Sequence, residues 1–378
     1  MNEILTHPAP LITLGVVFLL VLVWRLVRPM LPQFGGPLSK SLQDRYAQSR
    51  QWKQGKFENE IPAKMTPAKE PLKMFKEMRR FREVRKPKKP LPILPFDAKA
   101  WEHTSEPAFI WYGHGVLLLK VAGKTLLIDP MFGPNAAPIS PFGVSRFSQN
   151  TLDIIDTLPA LDAILLTHDH YDHLDLASIE RLHGRTQNWW VALGVGRHLE
   201  HWGIPSQQIR EFDWWDEHSL DGLDIIFTPA RHFSGRGLRD RGKSLWGGWV
   251  FKTDQHRLYW TGDGGYGDHF KEVGHRFGPF DFGWIECGQY NWRWHDIHML
   301  PPESASAVRD AKIQVAMPMH WGSFSLAFHP WTEPADRFVE EVQKLGIPYC
   351  TPKLGEMVAL GGPYPTSPWW DTYKLPTP

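Results

Sequence analysis

The chain has 378 residues, 42% of them hydrophobic and 22% charged, which suits one large domain or two ordinary ones and excludes global disorder. Two cysteines, Cys287 and Cys350, exclude a disulfide framework and offer no CxxC pair, so both thiols are expected to be reduced. The net charge of +1 hides a division: residues 31–100 hold 17 Lys/Arg against 7 Asp/Glu, and residues 101–378 hold 23 against 33.

In chain order, the first element is an uncharged run from Ala9 to Trp24, extended past Arg25 by Leu26 and Val27. A helix of that length nearly spans a hydrocarbon core. Residues 1–30 are therefore expected to form an N-terminal membrane anchor. A cleaved signal peptide and a buried or interfacial helix are the competing readings. The signal peptide lacks support: Glu3 replaces a basic start, and no small-residue cleavage site follows. Arg25, Arg28 and the basic excess beyond them lie on the C-terminal side. The positive-inside rule then places the rest of the chain in the cytoplasm, on a single-pass inner-membrane anchor.

Residues 31–104 read as a basic, proline-containing collar or linker. Within it, Lys73–Lys89 puts Met74, Phe75, Met78 and Phe81 near helical spacing. This helix either lies on an anionic membrane surface or packs on the main domain. Lipid headgroups are a simpler partner for it than nucleic acid.

From residue 105 to 378, short apolar runs alternate with Gly-rich turns. Strands are predicted at Phe109–Tyr112, Val116–Val121, Thr125–Ile128, Ala163–Leu166 and Trp189–Leu193. Further strands fall at Asp224–Phe227, Gly248–Phe251, Arg257–Trp260, Phe282–Ile285 and Gln314–Met317. Helices are predicted at Leu176–Leu182, Arg197–Trp202, Asp268–Val273, Glu303–Asp310 and Glu333–Lys344, the last two with Pro302 and Pro334 as start signals. Strands mixed with helices imply sheets covered by helices. Cys287, after the strand at 282–285, reads as core.

The chemistry sits just past strand ends. His168-Asp169-His170-Tyr171-Asp172-His173 follows the strand at 163–166, His232 the one at 224–227, Asp263 the one at 257–260, and His320 the one at 314–317. Strand ends are rigid and their loops exposed, which suits a site. His168 and His170 share a face in extended chain. Three histidines and two aspartates within six residues have no packing rationale, because buried charges are costly unless paired or metal-bound. Imidazole with carboxylate suits zinc, and less often iron or manganese, and two such ions make a hydrolytic centre.

The HxHxDH segment with later His, Asp and His resembles the metallo-β-lactamase superfamily. Trp111-Tyr112-Gly113-His114, Ile128-Asp129-Pro130, Asp213-Trp214-Trp215, Leu245-Trp246-Gly247-Gly248-Trp249 and Ala316-Met317-Pro318-Met319-His320-Trp321-Gly322 resemble its N-acyl-phosphatidylethanolamine-hydrolysing phospholipase D branch, over about residues 105–360. The resemblance implies an α+β fold: an αββα sandwich of two mixed sheets covered by helices, here preceded by one transmembrane helix. It implies one zinc ion on His168, His170 and His232, a second on Asp172, His173 and His320, and Asp263 bridging them. His114 and Asp129 would orient ligands, and His298 would touch the substrate phosphate. Asp172 is either a ligand alone or also the proton acceptor.

The activity implied is a membrane-anchored, zinc-dependent phosphodiesterase. It would cleave N-acyl-phosphatidylethanolamine or a similar phospholipid to phosphatidic acid and an N-acylethanolamine, and a homodimer is compatible with it. The alternative is a zinc hydrolase of the same fold acting on another ester, lactone or small phosphodiester. Departures bear on that choice. Met-Leu-Pro-Pro-Glu follows His298 where the branch has a valine and an acidic residue before one proline, and Gly264 stands where a threonine is usual.

Overall fold

The structure is a computed structural model, and it describes residues 8–27, 31–64, 71–105, 107–138 and 144–375. The uncharged run forms helix α1 (Pro8–Val27), whose large apolar side chains between Leu14 and Val23 are exposed. Glu3 and Arg28, which flank it, lie outside the described residues. Among those described, no helix is long and apolar enough to cross a membrane, and side chains of α1 are described only for residues 14–25. The expected membrane-spanning helix is therefore not a finding of the structure.

The basic segment carries α2 (Lys40–Tyr46), a hairpin of β1 (Trp52–Lys53) and β2 (Lys56–Phe57), α3 (Pro71–Arg80) and α4 (Ala98–His103). It packs on the main domain. Arg236 donates from Nε and Nη2 to Gln33 O (3.1 and 2.8 Å), and Trp202 Nε1 donates to Pro32 O (2.7 Å). Gly36 N donates to His198 Nδ1 at 3.1 Å. A Cβ on Gly35 would fall 1.8 Å from the same ring, so only glycine allows this approach. On α3, Glu77 takes both Nη atoms of Arg293 (2.6 and 3.1 Å), while Phe75 stays exposed.

The strands pair into two sheets. β3 (Ala108–Trp111), β4 (Leu117–Val121) and β5 (Lys124–Ile128) are antiparallel; β6 (Ala163–Leu166), β7 (Trp189–Ala192) and β8 (Ile209–Phe212) then add in parallel. The connections to the parallel strands carry α5 (Ile154–Thr157), α6 (Leu176–Leu182) and α7 (Gly196–His201). The second half repeats the plan. β9 (Glu217–Leu220), β10 (Leu223–Thr228), β11 (Gly248–Lys252) and β12 (Arg257–Trp260) are antiparallel, and β13 (Phe282–Glu286) and β14 (Ala316–Met319) add in parallel. Here the helices are α8 (His269–Arg276), α9 (Pro301–Asp310) and α10 (Glu333–Lys344), and β15 (Met357–Ala359) closes back beside β3.

Period-two alternation covers both faces of the second sheet. Phe227, Trp249, Trp260 and Trp284 face the first sheet, whereas Ile226, Val250, Tyr259 and Ile285 face the core with α8, α9 and α10. Phe109 of β3 meets Phe282 and Trp284 of β13 at 5.1 and 5.2 Å between ring centroids, which locks sheet to sheet. The mixed-sheet sandwich is the expected α+β class, and the predicted strands and helices fall within a few residues of those found. Strands β1, β2, β8, β9 and β15 were not among those predicted.

Candidate metal centre

The strand-end histidines singled out in the sequence, with Asp172 and Asp263, meet at one end of the sandwich. β6 is buried throughout and stops at Thr167, whose N and Oγ1 donate to Asp129 at 2.8 and 2.6 Å. That fixes the start of the His168–His173 loop. His168 Nε2 and His232 Nε2 then lie 3.0 and 3.2 Å from His170 Nδ1. Three nitrogens around a tetrahedral ion at 2.0–2.1 Å would be about 3.3 Å apart, so the spacing fits. On the other side, Asp263 Oδ2 lies 2.9 Å from His320 Nε2 and 3.1 Å from His173 Nε2, and 3.9 and 4.0 Å from His168 and His232. Asp172 Oδ2 lies 3.3 Å from His320 Nε2. Asp263 therefore stands between two donor groups, where one carboxylate can serve both.

The other ring nitrogens of His173, His232 and His320 are tied down, which sets their inward-facing atoms. His173 Nδ1 bonds Asp129 Oδ2 at 2.9 Å, His232 Nδ1 bonds Ile297 O at 3.0 Å, and His320 Nδ1 bonds Glu286 Oε1 at 3.3 Å. His114 Nε2 bonds Asp172 Oδ2 at 2.8 Å. His114, Asp129 and His320 all have left-handed backbone (φ 53, 42 and 69°), a strain held where the side chains must aim inward. His320 is also approached so closely that a Cβ on Gly288 would fall 1.6 Å from its carbonyl oxygen.

The donor set fits divalent cations. Among the described residues, buried His173 Nε2 and Asp263 Oδ1 have no hydrogen-bond partner. Burial alone would lower His173, but Asp263, Asp172 and Asp129 override it and raise the imidazole to about 10. The same contest holds His320 well above its usual value, chiefly through Asp263. Burial instead pushes His168 and His232 well down, helped by neighbouring rings. Burial would raise Asp263, yet His173 and His320 keep it well below the usual carboxylate range. The carboxylate side of the site thus draws positive charge, and the imidazole side offers neutral lone pairs.

His298 joins the centre. Its ring lies 5.0 Å from that of His232 and 5.1 Å from that of His320, its side chain is mostly buried, and its Nδ1 lies 3.2 Å from Glu286 Oε1. Glu286 is fully buried and also accepts from Met299 N (2.9 Å) and Gly288 N (3.1 Å). Sequence reasoning missed Glu286, although it closes a strand just as the other site residues do. Asp169 corrects the sequence reading in the other direction. It points away from the centre, accepting from Gly235 N (2.7 Å), Ser244 Oγ (2.8 Å) and His198 Nε2 (3.3 Å). Its charge therefore has a packing role after all. Cys287 is buried core, as expected, with its thiol pushed well up by burial.

Comparison with known proteins agrees with this geometry. Residues 124–321 match the beta-lactamase superfamily domain. An uncharacterized protein of Mycobacterium tuberculosis is 37% identical over 85% of this chain and 88% of its own. N-acyl-phosphatidylethanolamine-hydrolyzing phospholipase D 1 of Caenorhabditis elegans is 30% identical over 66% of this chain and 74% of its own. Among solved structures, Igni18, a metallo hydrolase from Ignicoccus hospitalis, superposes with a TM-score of 0.52 at 22% identity, covering 67% of this chain and 97% of that one.

Proposed function

The chain belongs to the beta-lactamase superfamily and is a metal-dependent hydrolase of the metallo-β-lactamase fold; we propose that it is a zinc-dependent phosphodiesterase of phospholipase D type, acting on N-acyl-phosphatidylethanolamine or a similar phospholipid. The observation that carries this reading is the place of His298, held by Glu286 beside both donor groups with its side chain still 13% exposed. The similarity to the worm phospholipase D points the same way.

In this reading His168, His170 and His232 hold one ion, Asp172, His173 and His320 hold the second, and Asp263 is shared. Two zinc ions there would polarise a phosphoryl oxygen and acidify water; iron or manganese would suit the same donors. His298 keeps one ring nitrogen on Glu286 and turns the other to a phosphoryl oxygen, where it stabilises charge that develops during the reaction. Asp172 Oδ2 already accepts from His114, which leaves Oδ1 as the atom that can take a proton. His114 and Asp129 act only through the residues they hold.

Helix α1 and the basic segment after it give the enzyme its membrane side. Among the described residues, the apolar side chains of α1 between Leu14 and Val23 are exposed, and a lipid phase would cover them. The catalytic part then faces the cytoplasm. A reporter active only on one side of the membrane, fused after the last residue, tests the orientation. Release of the protein by a salt wash would rule out the span.

Purified protein loaded with zinc is expected to hold two ions per chain by elemental analysis. It is expected to release phosphatidic acid and an N-acylethanolamine from a lipid panel, with both products identified by mass spectrometry. Fewer than one ion per chain sinks the two-ion centre. Turnover of a lactone or simple ester, with every phosphodiester inert, sinks the phospholipase reading.

A further inference from the structure

Resting on the reading of His232 as a ligand of the first ion, we propose that Asn59 is a positioning residue of the metal centre: its carboxamide stands in for a neighbouring strand and holds the backbone of His232 where the ring can reach the ion. The need for such a residue follows from the fold. β10 makes its last pair with β11 at Thr228, opposite Gly248. His232 comes four residues later, outside any strand, yet it is only 1% exposed. A buried backbone N–H and C=O need partners, and the sheet no longer provides them.

Asn59 supplies both partners. Its Nδ2 donates to His232 O at 2.8 Å, and its Oδ1 accepts from His232 N at 3.0 Å. A carboxamide is a peptide group on a side chain, so the pair copies the two-bond exchange of antiparallel strands between residues 173 apart. The same Oδ1 accepts from Trp246 Nε1 at 3.0 Å, and that nitrogen also donates to Ala230 O at 3.0 Å. An indole N–H can only donate, so the amide atom that faces it and His232 N must be the oxygen. That leaves the NH2 end on the His232 carbonyl. His320, the ligand after β14, is held differently: its N donates to His114 O (3.1 Å) and its O accepts from Gln289 Nε2 (3.1 Å), both within the catalytic part. His232 is held from the basic segment.

Asn59 is itself fixed on both sides. Before it, buried Phe57 packs on Tyr46 and Trp52, with ring centroids 5.7 and 4.9 Å apart, and its N donates to Gly242 O at 2.7 Å. After it, Pro62 O accepts from Arg231 Nη2 at 2.8 Å, and Lys64 N donates to Asp296 Oδ2 at 2.7 Å. Arg231 and Asp296 form an ion pair at 2.9 Å. Asp296 directly precedes Ile297, whose carbonyl oxygen takes His232 Nδ1. Residues 57–64 therefore reach both supports of the ring: the backbone of His232 through Asn59, and the Ile297 carbonyl through its neighbour. In this assignment the basic segment is part of the metal centre and not a linker to it.

The test uses the full chain loaded with cobalt(II), whose visible absorption follows its ligand geometry, and reads the two binding steps by competition with a chelator. His232→Ala first marks which step, and which part of the spectrum, belong to His232. Asn59→Asp keeps the side-chain shape but has no donor for His232 O, and Asn59→Ala removes both bonds. Each is expected to weaken the step marked by His232→Ala about 10- to 100-fold and to change the same part of the spectrum, while the other step keeps its parental affinity. Glu60→Ala, exposed and next in the chain, should bind cobalt as the parent does. Parental affinities and a parental spectrum in the Asn59 variants overturn the proposal, and so does a loss in Glu60→Ala as large as theirs. Equal weakening of both steps with a lower unfolding midpoint marks a residue that only supports the fold, and overturns it too. His232→Ala with both ions at parental affinity removes His232 from the ligands, which is a failure of the reading beneath the proposal. One step lost in His232→Ala and none in the Asn59 variants is a failure of the proposal alone.

Discussion

The two sheets follow the same strand plan but supply the centre differently. The first sheet gives four of the seven candidate ligands from one loop after β6, within six residues. The second gives three, one each after β10, β12 and β14, spread over 89 positions from His232 to His320. A local cluster keeps its geometry as long as one turn holds. A dispersed set exists only when three strands are in register. The first sheet should therefore set whether ions bind, and the second how they are shared.

Asp263→Asn attacks this division most sharply, because Asp263 Oδ2 approaches histidines of both groups. Metal content is expected to fall from two ions per chain to about one. Hydrolysis should fall by on the order of 10³-fold, matching several kcal/mol of lost charge stabilisation. His232→Ala should instead keep the ion on Asp172, His173 and His320. If elemental analysis shows both ions gone in that variant, the two groups are not separable.

His298→Ala comes next. Both ions should remain while kcat/KM drops about 10²-fold, the range for one donor to a developing charge. Unchanged turnover with metal retained would remove His298 from the substrate.

These expectations also show what the sequence reveals and what it hides. The loop at 168–173 is legible because its residues are neighbours in the chain. His232, Asp263 and His320 are legible only because each follows a recognisable apolar strand. Glu286 obeys the same rule, yet it closes a strand with no second polar residue beside it, so nothing local marks it. Its function lies in what it holds, His298 and His320, and those contacts exist only after folding. Strand β9 (Glu217–Leu220) was hidden for another reason: as an edge strand carrying Glu217, His218 and Ser219, it has little apolar pattern to read. Asp169 misleads because charge density in a motif does not say which charges turn inward.

Glu286→Gln should cost about 10- to 100-fold in metal affinity or activity, as for other residues that orient ligands. Competition with a chelator and steady-state kinetics would measure it. An unperturbed variant would mean that His320 is aimed by its backbone alone.

The smallest effect on chemistry is expected from the contact between the sheets. Trp284→Ala should lower stability by about 3–5 kcal/mol in denaturant unfolding, because the ring is fully buried against Phe109. Activity per folded molecule should stay close to that of the parent. A large fall in kcat with normal unfolding would mean that the core tunes the site as well as supporting it.

The seat of Gly36 against His198 bears on the order of events during synthesis. That bond closes a loop of 162 residues, and the grip of Arg236 on Gln33 closes one of 203. His198 holds Asp169, which lies between His168 and His170. Residues 32–37 leave the ribosome early but have no seat until the chain beyond Arg236 has emerged. Contacts of such long range form late. Nascent chains stalled before residue 198 should leave residues 32–37 open to protease, and only chains longer than about 240 residues, plus those in the exit tunnel, should protect them. The turn that carries the first ligands would then set only after the second sheet has begun to form, which keeps a half-built chain from trapping metal in an incomplete site.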